Sequence, residues 1–239
     1  MAEVARTYPS QNFKYLADQK FFPYGEKQTD TLLIHLKKLV PEFVKQHSID
    51  ILVVACNTAS TNALAVLRGI IEIPIIGVVP AIKPAAELSI TKRIGILATP
   101  ATVKSHYTKN LIEKHAAQCK IHMIGNSKLV HFAELKAFGQ PINLRSLDEI
   151  LQPLQSYNID TVVLACTHFP FLRAELAKSL SPKTDLIDSA KGVTRQVGRI
   201  LESLPPEKQK KSTKHLLIST ASHISSKNLY QAYENFISW

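Results

Sequence analysis

Short apolar runs alternate with longer amphipathic segments along the whole chain. Runs rich in Val, Ile and Leu are typical of strands buried on both faces, and apolar residues that recur every three or four positions are typical of the helices that cover them. The pattern therefore predicts an α/β architecture with mainly parallel sheets. Predicted strands lie at 13–17, 51–55, 75–78, 94–98, 120–124, 161–165, 186–188 and 215–219. Predicted helices lie at 30–46, 59–68, 102–118, 147–156, 171–180 and 192–204.

Two of the predicted strands carry nearly the same sequence. Residues 49–58 read IDILVVACNT, and residues 159–168 read IDTVVLACTH. Each apolar run ends in a cysteine, Cys56 or Cys166, and is followed by a helix and a further strand. Ligands bind at the carboxyl ends of parallel strands and in the clefts between domains. The repeat therefore predicts two related halves with a functional site between them.

Composition narrows the class of protein. A chain of 239 residues is long enough for two domains, and no apolar run approaches the roughly 20 residues of a membrane helix. The first residues lack the apolar core of a signal peptide, and three cysteines cannot all pair, so we expect a cytoplasmic protein with free thiols.

The net charge of +10 raises the question of a nucleic-acid site. Basic residues crowd only one predicted loop, at Lys208, Lys210, Lys211 and Lys214, and are otherwise dispersed. This dispersion favours a solvated surface over a nucleic-acid site. A positive field would also attract an anionic substrate.

The polar residues after each cysteine suggest chemistry. A free cysteine at the end of an apolar strand often only packs. Here, however, Asn57 and Thr58 follow one cysteine, Thr167 and His168 follow the other, and a predicted helix begins after each. Helix N-termini attract anions and lower the pKa of a nearby thiol, so we expect both pKa values to lie closer to neutrality.

Other uses of these cysteines fit the sequence less well. Cys56, Cys119 and Cys166 lie far apart and form no C-x-x-C, so we expect no metal site. A hydrolase-like pair of Cys166 and His168 remains open but leaves the second cysteine without a role. No glycine-rich nucleotide-binding motif occurs. Two thiols on opposite faces of one carbon suit a reaction that inverts a stereocentre by proton transfer, with no cofactor needed.

Six motifs, in order along the chain, resemble the cofactor-independent glutamate racemases of the aspartate/glutamate racemase family. The resemblance extends from about Asn12 to Ser219. The motifs are FPYG at 22–25, ACNTA at 55–59, GVVP at 77–80, ATPAT at 98–102, ACTHFP at 165–170 and LIDSA at 186–190.

The resemblance implies interconversion of L- and D-glutamate for peptidoglycan synthesis in bacteria. Cys56 and Cys166 match the two proton donors and acceptors of the family, and His168 matches the group that assists the second cysteine. The residues that match substrate-binding positions are Tyr24, Gly25, Asn57, Thr58, Thr99, Thr102, Glu134, Thr167 and His168. Cys119 matches no family role and is predicted to be structural, and Asp18 and Asp188 are predicted to fix loops.

Pattern and resemblance together predict two pseudo-symmetric, flavodoxin-like α/β domains with the active site in the cleft between them. The first comprises residues 1–83 and 193–239, including a tail helix, and the second comprises 84–192. Glutamate is the expected ligand, without cofactor, metal, membrane or nucleic acid, and a homodimer is a candidate assembly.

One family feature does not occur in the sequence. The family opens with a strand and an Asp-Ser-Gly-x-Gly-Gly turn, whose aspartate would assist Cys56, and this chain contains no such motif. Two explanations are open: Met1 is an internal or misassigned start, or the chain is a shortened relative. We therefore expect the 239-residue form to racemise glutamate poorly and to fold marginally. The alternative function is a non-catalytic relative that binds an amino acid or a protein, as some members of the family bind DNA gyrase.

Overall fold

Parallel strands and covering helices build the protein in a computed structural model, which describes residues 2–205, 208 and 215–221. The strands of this part of the chain are β1 Lys14–Ala17, β2 Leu52–Val54, β3 Ile75–Gly77, β4 Arg93–Ala98, β5 Lys120–Gly125, β6 Thr161–Ala165, β7 Asp185–Ile187 and β8 Leu216–Ser219. Its helices are α1 Ala2–Thr7, α2 Thr29–His47, α3 Asn57–Ile70, α4 Ile82–Leu88, α5 Pro100–Lys104, α6 His106–His115, α7 Lys128–Ala137, α8 Leu144–Gln155, α9 Arg173–Ser179 and α10 Ala190–Ser203.

The largest sheet has four parallel strands in the order β5-β4-β6-β7. Its two central strands are buried on both faces, as their apolar runs predict. Along β6, Val162 and Leu164 pack into one apolar cluster with α7, α8 and α9, whereas Val163 and Ala165 pack into another on the opposite face. This alternation fixes the register of the sheet, because a slip of one residue would exchange the two faces.

Two smaller parallel sheets form the remainder. Strand β2 pairs with β3, and β1 pairs with β8. Helices α2 and α3 cover the β2–β3 sheet through a cluster that includes Leu32, Leu36 and Leu67. Strands β1, β2, β3 and β8 fall within 1–83 and 193–239, and β4 to β7 fall within 84–192. The division into two domains at these boundaries stays a prediction, and the predicted tail helix lies outside the described residues.

The predicted strands agree with the structure to within a few residues, but the helices differ in two ways. The single helix predicted at 102–118 is two helices, α5 and α6. They separate at Ser105, whose backbone is extended and whose hydroxyl accepts a hydrogen bond from the Thr108 amide at 3.1 Å. This serine is an N-cap inside an apolar periodicity that continues on both sides. The pattern also missed α4 and α7, and α7 supplies a residue of the site described below.

The aspartates of the repeated sequence have different environments. Asp160 accepts hydrogen bonds from the Ser89 hydroxyl at 2.6 Å and from the Ile90 and Thr91 amides at 2.7 Å each. Burial alone would raise the pKa of Asp160, but these hydrogen bonds hold it below its ordinary value. Its counterpart Asp50 lies at the surface, with Oδ1 3.1 Å from Nζ of Lys208. Only the second copy of the motif therefore anchors a loop, the one that leads into β4.

We expect Asp160→Asn to lower the free energy of unfolding by about 1.5 kcal/mol, because a carboxylate with three strong donors is lost. The matched variant Asp50→Asn should lower it by less than about 0.5 kcal/mol, because exposed ion pairs contribute little. Urea unfolding at neutral pH measures both. Since the folded pKa of Asp160 is lowered, its contribution is present above the unfolded value near 3.8 and is lost as the pH falls through the folded value. Equal effects of the two substitutions would contradict the anchoring role of Asp160.

Candidate active site

Cys56 lies directly after β2, at the N-cap of α3. The Thr58 and Ala59 amides point at its sulfur, as expected for the start of a helix. Burial is nevertheless the dominant influence and raises the pKa of the Cys56 thiol to about 11, although the two amides lower it. The predicted shift toward neutrality is therefore wrong for Cys56, because loss of hydration outweighs the helix N-terminus. At neutral pH Cys56 carries its proton.

Cys166 lies directly after β6, and it is buried. The side chain of His168 lies beside it. Its Sγ is 3.9 Å from Nδ1 of His168, and Nε2 of the same ring is 2.9 Å from Oε1 of Glu134. Burial lowers the pKa of His168, but the contacts with Cys166 and Glu134 raise it more, to about 10. The imidazole is therefore an imidazolium at neutral pH, held between a sulfur and a carboxylate.

The local fold explains why His168 and Glu134 meet. A 3₁₀ turn at Phe169–Leu172 follows His168, and the fully buried ring of Phe169 anchors it in the core. Helix α7 packs against this turn, and Glu134 lies on α7. Glu134 lies far from Cys166 in the sequence, so only this packing brings its carboxylate to the second cysteine.

The loops that carry the two cysteines are in direct contact. The Thr167 hydroxyl donates a hydrogen bond to the carbonyl oxygen of Ala55 at 3.3 Å. The two cysteines are also close enough for charge on Cys166 to raise the pKa of Cys56. The structure therefore brings the two halves of the repeated motif to one place.

Three threonines predicted to bind substrate form a cluster of hydroxyls. The Thr58 hydroxyl lies 2.8 Å from that of Thr99 and 3.2 Å from that of Thr102, and all three side chains are buried. Thr99 also caps α5 by accepting a hydrogen bond from the Thr102 amide at 3.3 Å. The cluster joins the first turn of α3, next to Cys56, to the loop that leaves β4.

Asn57 combines deep burial with an unpaired donor. Its side chain is 3% exposed, and within the described part of the chain its Nδ2 has no hydrogen-bond partner. A buried amide without an acceptor is costly, so this donor needs a partner, a water or a ligand, that the described residues do not supply. Asn57 follows Cys56 directly, which places this donor at the first cysteine.

Tyr24 and Gly25 form a tight turn beside the threonine cluster. The Tyr24 hydroxyl donates to Oδ2 of Asp18 at 2.7 Å, and burial together with this carboxylate raises the pKa of Tyr24 well above its ordinary value. A Cβ on Gly25 would lie 2.6 Å from both Cβ and Cγ2 of Thr99. Glycine at this position therefore lets the turn contact Thr99, one of the hydroxyl residues of the site.

Sequence reasoning missed Tyr15 and Phe22 as residues of the site. Burial raises the pKa of Tyr15, and the charges of Glu134 and Cys56 raise it further, so this phenol lies near both sides of the site. The Phe22 ring centre is 5.8 Å from that of His168. Little in the sequence identifies them. Tyr15 lies in a predicted strand like any other residue there, and Phe22 belongs to the FPYG motif, in which no role was predicted for this residue.

Several other predicted residues lie elsewhere. Asp188 accepts from Arg173 at 2.5 Å and from the Ala190 amide at 2.9 Å, which fixes the loop after β7. Cys119 is partly buried against the cluster beneath α4. Of the predicted basic loop, Lys210, Lys211 and Lys214 lie outside the described residues.

Across the described part of the chain, no three His, Cys, Asp or Glu side chains converge as a metal site would require, and none of its helices could cross a membrane.

The arrangement provides proton carriers from two directions. One side has a protonated thiol at the start of a long helix, next to an unpaired amide donor. The other has a thiol with an imidazolium and a carboxylate behind it. Groups of this kind can accept and return a proton on either face of a molecule placed between them.

The chain is similar in sequence and in fold to known amino-acid racemases. A model of the Asp/Glu/hydantoin racemase family matches residues 2–197. The glutamate racemase of Vibrio cholerae is 45% identical over 199 residues, which cover 83% of this chain and 74% of that protein. A crystal structure of Escherichia coli glutamate racemase, in complex with L-glutamate and the activator UDP-MurNAc-Ala, superposes with a TM-score of 0.90 and 36% identity over 98% of this chain and 89% of that one. The RacE1 isoform from Bacillus anthracis gives a TM-score of 0.83 and 26% identity, over 99% and 88% of the two chains.

We expect Glu134→Gln to lower the pKa of His168 from about 10 toward its ordinary value of 6.5, because the negative charge that stabilises the imidazolium is removed. Titration of the ring resonances by NMR measures the shift. Glu175→Gln is the matched control, because Glu175 pairs with Lys136 instead. An unchanged His168 titration in Glu134→Gln would show that Glu134 does not set the charge of the ring.

Gly25→Ala should destabilise the protein by about 1–3 kcal/mol, because its methyl group would overlap the Thr99 side chain. Gly69→Ala is the control: it lies in α3 with no atom within 4 Å of the added carbon, and it should stabilise the protein by up to about 1 kcal/mol. Urea unfolding separates the two. If both variants lose stability, the contact between Gly25 and Thr99 is not the cause of the effect.

Proposed function

The chain belongs to the Asp/Glu/hydantoin racemase family, and from this membership and its two opposed cysteines we propose that it interconverts L- and D-glutamate by proton transfer. The observation that carries the proposal is the contact between the two cysteine loops, where the Thr167 hydroxyl donates to the Ala55 carbonyl at 3.3 Å. This contact holds the two cysteine loops together, and we infer that the substrate binds between the two thiols. Inversion at carbon requires such an arrangement, because the proton leaves one face and another arrives on the opposite face.

In the proposed reaction one cysteine accepts a proton from the substrate and the other donates one. Cys56 holds its proton at neutral pH, since burial raises its pKa to about 11. When the α-hydrogen of the substrate faces Cys166, the thiolate of Cys166 takes that proton, so that a C–H bond breaks and an S–H bond forms. Cys56 then delivers its own proton to the other face, and a C–H bond forms as its S–H bond breaks. The S–H of Cys166 and the thiolate of Cys56 that remain are the starting state for the reverse reaction, and proton exchange with solvent restores the first state. The His168 imidazolium stays beside the Cys166 sulfur, 3.9 Å away, throughout.

Binding of glutamate draws on groups beside Cys56. The unpaired Nδ2 of Asn57 can donate to a substrate carboxylate, and the dipole at the start of α3 favours negative charge. The net charge of +10 attracts glutamate, whose two carboxylates and one ammonium leave it negative overall, over longer distances. Among the structural relatives, the Escherichia coli enzyme was crystallised with L-glutamate. We therefore assign Asn57, Thr58, Thr99, Thr102 and the Tyr24-Gly25 turn to substrate binding and positioning.

The proposed cellular role is that of the family: supply of D-glutamate for peptidoglycan. The reaction as written moves only protons, and no cofactor enters it. All three cysteines are free, which supports a reducing compartment and hence the cytoplasm. A homodimer stays a prediction, to be measured by analytical ultracentrifugation. A non-catalytic binding protein has less support, because both cysteines keep polar partners suited to proton transfer.

We expect Cys56→Ser and Cys166→Ser each to abolish racemisation, because a serine hydroxyl is far too weak an acid to replace the thiol. Circular dichroism of D-glutamate formation measures turnover. In deuterated water, each variant should exchange the α-hydrogen of one enantiomer only, and the two variants should differ in which one. Cys119→Ser is the matched control and should retain wild-type turnover. Undiminished racemisation in either of the first two variants would refute the two-thiol mechanism.

A further inference from the structure

The Asp18 carboxylate is buried beneath the Tyr24-Gly25 turn and accepts hydrogen bonds from three side chains. Its Oδ2 accepts from the Tyr24 hydroxyl at 2.7 Å and contacts Nε2 of His35 at 2.5 Å, and its Oδ1 accepts from the Thr220 hydroxyl at 2.7 Å. The side chain of Asp18 is only 6% exposed. A carboxylate at this depth is stable only when strong donors replace its water.

These hydrogen bonds tie together four separate parts of the chain. Asp18 follows β1, Tyr24 lies in the turn, His35 lies on α2, and Thr220 follows β8. Burial alone raises the pKa of Asp18, but the donors lower it more, so that it stays ionised at neutral pH. Asp18 is therefore a fixed negative charge around which the segment 19–26 folds.

His35 contacts this segment in two ways. Its ring stacks on that of Phe21, with centres 4.0 Å apart and planes inclined by 11°, while its Nε2 reaches Asp18. It also meets the Tyr24 ring edge-on, with centres 6.5 Å apart. Helix α2 is long and packed on the β2–β3 sheet through Leu32 and Leu36, so it is a rigid support for this contact.

The segment 21–25 consists of Phe21 and the FPYG motif, and we name it the FPYG loop. It contacts both sides of the site. Phe22 lies beside His168, the partner of Cys166. Gly25 lies against Thr99, whose hydroxyl is bonded to that of Thr58 near Cys56. Tyr24 packs on the same apolar cluster as Cys56. A displacement of this loop would therefore alter contacts on both sides of the proposed substrate site while leaving the two cysteines at the ends of their own strands.

We propose that His35 is a positioning residue that holds the FPYG loop against the active site by donating its Nε2–H to Asp18. It lies outside the chemistry and acts through Asp18 and Phe21. Its effect on glutamate binding rests on the proposed function, whereas its effect on the loop does not. The histidine ring suits this role because one side chain supplies both a flat face for Phe21 and an N–H at its edge for Asp18.

Two substitutions of His35 separate the contribution of its N–H donor from that of its flat ring. His35→Phe keeps the flat ring and removes the donor, whereas His35→Gln keeps an N–H at a similar distance from the backbone and removes the ring. Hydrogen exchange measured by mass spectrometry on peptides that cover 19–27 reports the loop without any need for turnover, and a peptide from β4 serves as the internal reference. Steady-state kinetics on both enantiomers of glutamate then gives KM and kcat separately.

We expect His35→Phe to accelerate exchange in 19–27 by about tenfold, because a hydrogen bond to a buried carboxylate is lost, while exchange in β4 stays unchanged. KM for glutamate should rise by about tenfold with kcat within about twofold, because the loop contributes to binding more than to proton transfer. His35→Gln should recover most of both effects. Tyr24→Phe, which removes another donor to the same Asp18 oxygen, should also accelerate exchange in 19–27.

His106→Phe and His106→Gln are the matched controls at an exposed histidine on α6, and they should change neither readout. The proposal is overturned if His35→Phe leaves exchange in 19–27 unchanged, if His35→Gln behaves like His35→Phe, or if exchange rises evenly over the chain as it would after a general loss of stability. If the wild-type chain does not racemise glutamate, the proposed function fails. The exchange comparison still decides the role of His35 in that case.

Discussion

Parallel pairing of the strands is the constraint on which the site depends. In the four-stranded sheet Ala98 pairs with Ala165, so the chain leaves β4 and β6 side by side. Thr99 and Cys166 are the residues that follow, and Cys56 occupies the equivalent place after β2. A parallel sheet delivers all its carboxyl ends to one edge. Parallel pairing therefore brings Thr99 and Cys166 to one edge of the four-stranded sheet. The hydrogen bond between Thr167 and Ala55 joins the Cys56 loop, which leaves a different sheet, to that edge.

The two cysteines occupy similar places in the fold but have different electrostatic surroundings. Cys56 has backbone amides near its sulfur, and their effect is smaller than that of lost hydration, so the proton stays on sulfur at neutral pH. Cys166 lies beside an imidazolium whose pKa is raised by its contacts with Cys166 itself and with Glu134. An enzyme that works in both directions needs one thiol and one thiolate at each turnover. The two sides of the site differ in the residues that surround the sulfur.

Two carboxylates each fix a part of the fold by the same rule: Asp18 is buried beside the site, whereas Asp160 is partly exposed and precedes β6. Asp18 and Asp160 each accept three or more hydrogen bonds, and each fixes a segment that would otherwise have unpaired amides or hydroxyls. A lone buried charge would be unstable, and full coordination turns it into an anchor that connects several parts of the chain. Asp50 shows that sequence position alone does not create such an anchor, since the same motif residue lies at the surface in the first copy.

The sequence by itself determined the strands, the position of each cysteine at a strand end, and the residues that stand next to the cysteines. These features are local: an apolar run specifies a buried strand, and the residues that follow it must lie at its end. Glu134 and the threonines were identified through the resemblance, and the structure brought them to the cysteines. The helix break at Ser105 escaped the pattern because a cap depends on one hydroxyl and not on periodicity.

Only the tertiary structure decided the charge states and the supporting contacts. The pKa of Cys56 rises because surrounding segments remove its water, and no local motif reports how completely they do so. Phe22 reaches His168, and His35 reaches Asp18, across parts of the chain that the sequence does not connect. Desolvation and long-range contact are properties of packing, so they exist only once the sheets and helices have come together.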